Sequence, residues 1–290
     1  MRATRGGPGD FKGRLARAAA IESSAATAGP LALLVRVLGH QLARSADPSV
    51  QAAGAQVAAE AIPNRLVQRF PLLDLAASVE AIVAELEPAV ATLAHTHISM
   101  PAPLATIGRE TIERPELERR ELVATWIDDP SLLDSRLAQW VRVAAAPILE
   151  HAAGRVDPPS RDEWSGSACP ACGDVPQASV IVEESGAFLQ GAPRYLICAR
   201  CASWWVFPRA RCPSCGEDDS RRLGPYVADE WRWARIDACD TCRAYMKTFD
   251  LRDRGAREVI PLVDDVATLA LDVWAHQMGF HRPALSLAGV

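Results

Sequence analysis

No apolar run in the 290-residue chain approaches the roughly 18 residues that a membrane-spanning helix needs, because a charge or a proline interrupts each long stretch. The opening Met1-Arg2-Ala3-Thr4-Arg5-Gly6-Gly7 leads to Asp10 and Lys12 with no apolar segment behind it, so no secretory signal is expected. There is no excess of positive charge either. A net charge of −5 excludes a wholly basic nucleic-acid coat, though not a local basic face. No glycine-rich phosphate loop and no G-x-S-x-G elbow occurs, and the serines, histidines and carboxylates fall in no catalytic pattern. Catalysis is not expected. The composition, 49% hydrophobic and 23% charged, is that of a globular protein. The length is about twice the usual ~150 residues of a domain and predicts two packed units.

Cysteine is absent before residue 169 and then appears only in pairs. Cys169/Cys172, Cys198/Cys201, Cys212/Cys215 and Cys239/Cys242 are four C-x-x-C motifs with no cysteine left over. Without a secretory signal the expected compartment is the reducing cytoplasm, where such clusters are metal ligands before they are disulfides. One C-x-x-C turn presents two thiolates to one ion, and a tetrahedral site takes two such turns, so four turns suit two ions. The spacing has the look of a duplication: 25 residues separate Cys172 from Cys198, 23 separate Cys215 from Cys239, and ten lie between Cys201 and Cys212. The favoured partition is Cys169/Cys172/Cys198/Cys201 for one metal and Cys212/Cys215/Cys239/Cys242 for the other, with an interleaved arrangement as the alternative. Gly173 and Gly216 follow their pairs and permit positive φ, whereas Ala202 and Arg243 stand in the equivalent positions of the other two, which predicts less regular knuckles there. Zinc and iron both accept four thiolates, and residue type does not separate them.

The rest of the chain divides around these pairs into an α+β protein. Residues 1–160 form a helical domain, its first ten or so residues disordered; 161–210 and 211–255 are two small rubredoxin-like or zinc-ribbon metal modules; 256–290 are a C-terminal helix and tail. Helix periodicity runs through Leu31, Leu34, Val35, Leu38 and Leu42 after Pro30, and Asp47-Pro48 caps an alanine-rich helix reaching about Ile62. Leu75, Val79, Ile82 and Leu86 form a third stripe, kinked or divided at Pro88 before Val90 and Leu93. Glu116 to Ile127 follows, and then a stripe from Leu133 to Ile148 bent at Pro147. Four β-rich runs flank the cysteines: Ser179–Val182, Tyr195–Ile197, Trp204–Phe207 and Tyr245–Phe249. Asp264-Asp265 start a last amphipathic helix that Gly279 stops, and they are taken as helix-start carboxylates before partner contacts.

Nucleic-acid binding gains little support. Residues 194–257 hold 13 Lys/Arg against 9 Asp/Glu, a surplus of four that two tetrathiolate sites of −2 each would cancel. Trp231 and Trp233 are read as same-face aromatics of a small β-ribbon before base-stacking platforms, and adjacency leaves at least one of Trp204 and Trp205 to be exposed, as would suit a protein partner, or to cover the neighbouring module. His95 and His97 have no third ligand in view and read as solvated loop histidines.

The order of these motifs resembles the formate dehydrogenase accessory protein family (FdhE). The resemblance rests on Cys169-Pro170-Ala171-Cys172-Gly173 with Pro176, Arg194-Tyr195-Leu196-Ile197-Cys198-Ala199-Arg200-Cys201, and Trp204 or Trp205. It continues through Cys212-Pro213-Ser214-Cys215, Cys239-Asp240-Thr241-Cys242, Tyr245 and Lys247, to Asp264-Asp265 and Leu269 to Asp272. It covers about residues 169–275, beyond which only the length and helical character of the N-terminal half are similar. The resemblance implies a cytoplasmic, non-catalytic chaperone that binds the catalytic subunit of a formate dehydrogenase, with the eight cysteines as ligands of two metal ions and iron as the associated metal. A zinc-ribbon nucleic-acid binder and a rubredoxin-like iron redox carrier are the alternatives.

Overall fold

The structure is a computed structural model and describes residues 6–61, 65, 67, 71–94, 100–183, 192–252 and 258–286. Among these, seven α-helices fill the N-terminal half: α1 (Phe11–Ala20), α2 (Ala28–Ser45), α3 (Pro48–Ala59), α4 (Val79–Ala94), α5 (Ala102–Glu113), α6 (Glu116–Asp128) and α7 (Ser135–Ala153). The Asp47 carboxylate accepts from the Ser49 N–H at the start of α3, with Pro48 at the first position, as the sequence predicts. Helix α4 runs unbroken through Pro88, and α7 through Pro147. Neither proline divides its helix, because Leu86, Ala89, Val90 and Leu93 on α4, and nearly every residue of α7 from Gln139 onward, are buried and hold the backbone in place. Helix α5 is not among the helices that periodicity predicts. His95 and His97 lie outside the described residues.

Helix α7 is the central post, buried all round and packed against α2, α3, α4, α5 and α6. One buried ion pair ties it to α1: both Glu150 carboxylate oxygens accept from the Arg14 guanidinium, and Glu150 Oε2 also accepts from Gly9 N at 2.8 Å. Helix α2 lies between two apolar cores. Its Leu33 and Val37 face the core around α4 and α7, while Leu31, Leu34 and Leu38 face a second core with Phe11 and Ala18 of α1.

The C-terminal half builds one six-stranded sheet from β1 (Pro176–Ile181), β2 (Arg194–Cys198), β3 (Trp204–Phe207), β4 (Leu223–Val227), β5 (Ala234–Cys239) and β6 (Tyr245–Asp250). The spatial order is β3-β2-β1-β6-β5-β4. Each unit is an antiparallel three-stranded meander, and the two join through a parallel pairing of β1 with β6, Ala178 opposite Lys247 and Val180 opposite Phe249. The duplicated units therefore sit side by side in the same orientation, the first strand of one against the last strand of the other.

Helices cover the sheet unequally. On one face Leu196, Trp205 and Phe207 of the first unit pack into the core around α4 and α7. On the opposite face Ala178, Val180, Ile236, Tyr245 and Phe249 pack with α1, α2, α8 (Pro261–Ala267) and α9 (Leu269–Gln277). The expected single terminal helix is thus two, broken at Thr268, whose φ and ψ are −101° and 32° and whose hydroxyl donates back to Asp264 O at 2.9 Å. No helix among the described residues is long and apolar enough to cross a membrane.

The four tryptophans meet expectation in part, with Trp204 packed onto the core that the second unit shares. Trp205 is 2% exposed and donates to Gly166 O at 3.2 Å, while Trp204 is half-buried against Tyr195, so neither is exposed. Trp231 ends a short 3-10 turn and Trp233 precedes β5, so they are not paired strand positions. Both pack onto the second core, Trp233 stacked on Phe249 with ring centroids 5.9 Å apart.

Candidate metal centres

Each C-x-x-C motif closes a tight knuckle, and all four close it in the same way. The first cysteine's N–H donates to the carbonyl five residues on: Cys169 to Asp174, Cys198 to Ser203, Cys212 to Glu217 and Cys239 to Ala244, at 2.8–2.9 Å. The residue after each second cysteine has positive φ: Gly173 at 83°, Ala202 at 57°, Gly216 at 81° and Arg243 at 62°. The expected irregularity of the second and fourth knuckles is not found. Ala202 and Arg243 adopt the left-handed conformation despite their Cβ, because the knuckle requires it and the surrounding packing holds it.

Strand pairing then brings the knuckles together two by two. Register places Pro176 opposite Cys198 and Leu223 opposite Cys239, so each opening knuckle meets the knuckle that ends the neighbouring strand. Cys169, Cys172, Cys198 and Cys201 form one quartet and Cys212, Cys215, Cys239 and Cys242 the other, each with its sulfurs within 4.8 Å of one another. This is the favoured partition, not the interleaved one. Within each quartet the first cysteine faces the fourth and the second faces the third: Cys169–Cys201 3.7 Å, Cys172–Cys198 3.4 Å, Cys212–Cys242 3.8 Å and Cys215–Cys239 3.7 Å. A tetrahedron of sulfurs at about 2.3 Å from a metal has edges of about 3.8 Å. A disulfide would need about 2.05 Å, and all eight cysteines are free. The donor set fits a thiophilic cation.

The electrostatics favour the same reading. Burial pushes the Cys169, Cys172 and Cys201 thiols well above their usual value. At Cys198 burial acts in the same direction, but hydrogen bonds with the three other thiols and from the Cys201 amide outweigh it and hold this thiol well below. In the second quartet burial raises Cys212 and pushes Cys242 up to about 12, whereas at Cys239 the Cys242 and Thr241 amides overcome burial and lower the thiol. A cation that replaces the protons relieves this conflict. Amides already aim at sulfur: Arg200 N and Cys201 N lie 3.3 and 3.4 Å from Cys198 Sγ, and Ser214 N lies 3.4 Å from Cys212 Sγ.

The quartets differ in their surroundings. The first belongs to the apolar core of the helical half, with Cys169, Cys198 and Cys201 at 0% and Cys172 at 4% exposure. Its knuckle extends the backbone of the helical half, Leu72 N to Pro170 O at 2.8 Å and Leu73 N to Ala171 O at 2.9 Å. The Arg200 guanidinium lies over Trp126 of α6 at 4.5 Å and donates to its carbonyl. In the second quartet Cys215 is exposed and Cys242 half-exposed.

Asp264 and Asp265 are neither partner contacts nor simple dipole carboxylates. Both are fully buried. Asp264 accepts from Ile260 N at 2.7 Å and pairs with Arg17 of α1 at 3.0 Å. Asp265 and Asp272 enclose the ammonium of Lys247 on β6 at 2.8 and 2.5 Å, and Arg282 pairs with the same two carboxylates at 2.8 and 3.0 Å. Gln177 Nε2 donates to Asp265 at 2.8 Å, and the Tyr245 hydroxyl donates to Asp272 at 2.7 Å. This network locks α8 and α9 to the sheet. Lys247 and Tyr245 share one strand face, but the sequence holds no local pattern that joins them to Asp265, Asp272 and Arg282.

Comparison with known proteins follows the same residues. Residues 168–209 match the family model "FdhE, central domain" and residues 211–288 match "FdhE, C-terminal domain". The chain is 30% identical over 185 residues to a "Protein FdhE homolog" of Aquifex aeolicus (strain VF5), covering 62% of this chain and 63% of that protein. It is 40% identical over 112 residues to a "Protein FdhE homolog" of Shewanella oneidensis, covering 39% of this chain and 35% of the relative. The aligned region thus spans less than two thirds of these relatives. The crystal structure of the FdhE protein from Pseudomonas aeruginosa superimposes with a TM-score of 0.62 over 99% of this chain and 97% of that one, and at 22% identity this likeness shows the fold.

Proposed function

The chain belongs to the FdhE family, and from that premise we propose that it is a formate dehydrogenase accessory protein. In this reading it works in the cytoplasm as a non-catalytic assembly chaperone that binds the catalytic subunit of a formate dehydrogenase. The carrying observation is the pair of cysteine quartets built into one continuous sheet, the first of them inside the core that the helices share. Cys169, Cys172, Cys198 and Cys201 would hold one cation, iron or zinc, and Cys212, Cys215, Cys239 and Cys242 the other. What such a cation supplies is rigidity: in small tetrathiolate modules its binding is worth on the order of 10–16 kcal/mol, comparable with the folding energy itself. The residues do the rest. The knuckle amides orient the sulfurs, Arg200 braces the first quartet against Trp126, and the Lys247–Asp265–Asp272–Arg282 network docks the terminal helices, so that helices and sheet present one stiff composite surface.

Affinity capture of the tagged full-length protein tests the proposal. A formate dehydrogenase catalytic subunit should remain bound after stringent washing; retention of nucleic acid alone would refute the chaperone reading. Replacing Cys198 and Cys201 by serine should abolish capture. Elemental analysis should find two transition-metal ions per chain, and colour in the oxidised protein distinguishes iron from zinc.

A further inference from the structure

The two quartets share one geometry and differ in nearly everything around it. The first has no exposed sulfur-bearing residue, and its knuckle contacts the helical half at Leu72, Leu73 and Pro71, whose Cγ lies 3.2 Å from where a Cβ on Gly173 would stand. Above it the sheet is covered on both faces. The second quartet lies on the unit whose corresponding face no helix covers among the described residues. That face carries Arg235 and Asp237 of β5 and Met246 of β6, which together with Arg194 of β2 in the first unit line an open cleft of about 200 Å³. Cys212, Pro213 and Ser214 form a wall of the same cleft, and nothing lies within 4 Å of a Cβ built on Gly216.

We propose that the second quartet (Cys212, Cys215, Cys239 and Cys242) is an exchangeable metal site, whereas the first is a permanent fastener between helices and sheet. The inference rests on the reading of the quartets as metal sites and goes beyond it by assigning them different lability. Exchange of a tetrathiolate cation needs an incoming ligand to reach the metal as sulfurs leave one by one. At the second site Cys215 is exposed and Cys242 half-exposed, so an incoming ligand reaches both from water, while the Cys242 knuckle stays anchored to the C-terminal segment through Arg243 O, which accepts from His281 N at 2.9 Å. At the first site no sulfur can depart without opening the core that contains Trp126, Trp140 and Trp164. Exchange at the second site would therefore be local, and its consequence would fall on the cleft that Cys212 to Ser214 help to form.

Full-length protein loaded with Co²⁺, and separately with Zn²⁺, is mixed with excess 4-(2-pyridylazo)resorcinol while far-UV circular dichroism and tryptophan fluorescence are followed. One equivalent should leave at least tenfold faster than the other, with helix content unchanged until the second leaves. Cys215→Ser should keep the helix content and remove the fast equivalent. A single release phase for both ions, or loss of helix content together with the first equivalent, would overturn the proposal while leaving two bound metals intact. A chain that binds no cation and joins its sulfurs as disulfides would overturn the metal reading itself, and this proposal with it. Because the release experiment uses the unaltered protein, the outcome does not depend on any variant folding.

Discussion

Lys247→Met should be among the most damaging single substitutions that leaves both quartets untouched. The Lys247 side chain is fully buried, and its ammonium contacts Asp265 and Asp272 at 2.8 and 2.5 Å and donates to Asp265 O at 2.6 Å. Methionine fills a similar volume, so the packing term is small. The charge term is not. In the native network Lys247 and Arg282 balance two carboxylates; without the lysine, Arg282 alone faces both, and one buried negative charge is left over. Removing one member of a buried ion pair costs about 3–5 kcal/mol. For a chain of this size, at roughly 2–4 °C per kcal/mol, the thermal midpoint should fall by about 6–20 °C. Thermal unfolding followed by far-UV circular dichroism measures this directly. The double variant Lys247→Met/Asp272→Asn restores the balance and should recover at least about 1 kcal/mol of the loss. A Lys247→Met variant within about 1 kcal/mol of wild type, or a double variant whose loss equals the sum of the two single losses, would refute the assignment of this network as the lock on α8 and α9.

Asp265 gives the network a pH dependence: burial alone would raise its carboxyl, but Arg282 and Lys247 more than reverse this and hold it well below the usual carboxylate range. Because the folded value lies below the unfolded one, its stabilisation is present above about pH 4 and drains away as the pH falls further, so acid unfolding of Asp265→Asn should show a shallower slope than wild type. Gly173→Ala and Gly216→Ala both place a Cβ at φ near +80°, each losing about 1–2 kcal/mol, but only Gly173 has Pro71 at 3.2 Å; urea unfolding should therefore rank Gly173→Ala as the more destabilising. Gly108→Ala on α5 would set a Cβ 2.5 Å from Cε2 of Trp140, the residue whose indole N–H donates to Leu104 O at 2.9 Å. It should cost about 1–3 kcal/mol and change the tryptophan emission.

Much of this molecule is legible in residue order because the relevant physics is short-range. Asp47-Pro48 starts a helix by local hydrogen bonding, and a C-x-x-C turn brings two sulfurs to one side by the geometry of a single knuckle. What escaped were features decided by neighbours distant in the chain. Pro88 and Pro147 mark breaks in isolated helices, yet burial against the rest of the helical half carries both helices through. Strand β4 carries Gly224 and Pro225 and reads poorly as a strand, yet pairing with β5 from Leu223 to Val227 makes it one. Thr268 splits the terminal helix because its hydroxyl returns to Asp264 O and Lys247 approaches the break, a contact from 21 residues away.

The eight cysteines and their spacing determined that two sulfur quartets would form, since two donors per turn and four donors per tetrahedral centre leave few ways to arrange them. Tertiary structure alone decided that one quartet is sealed in the core and the other opens to water, that two units join by a parallel β1–β6 seam, and that Asp264 and Asp265 face inward. Burial and long-range pairing depend on which surfaces the whole chain leaves uncovered, and no stretch of residues carries that information by itself.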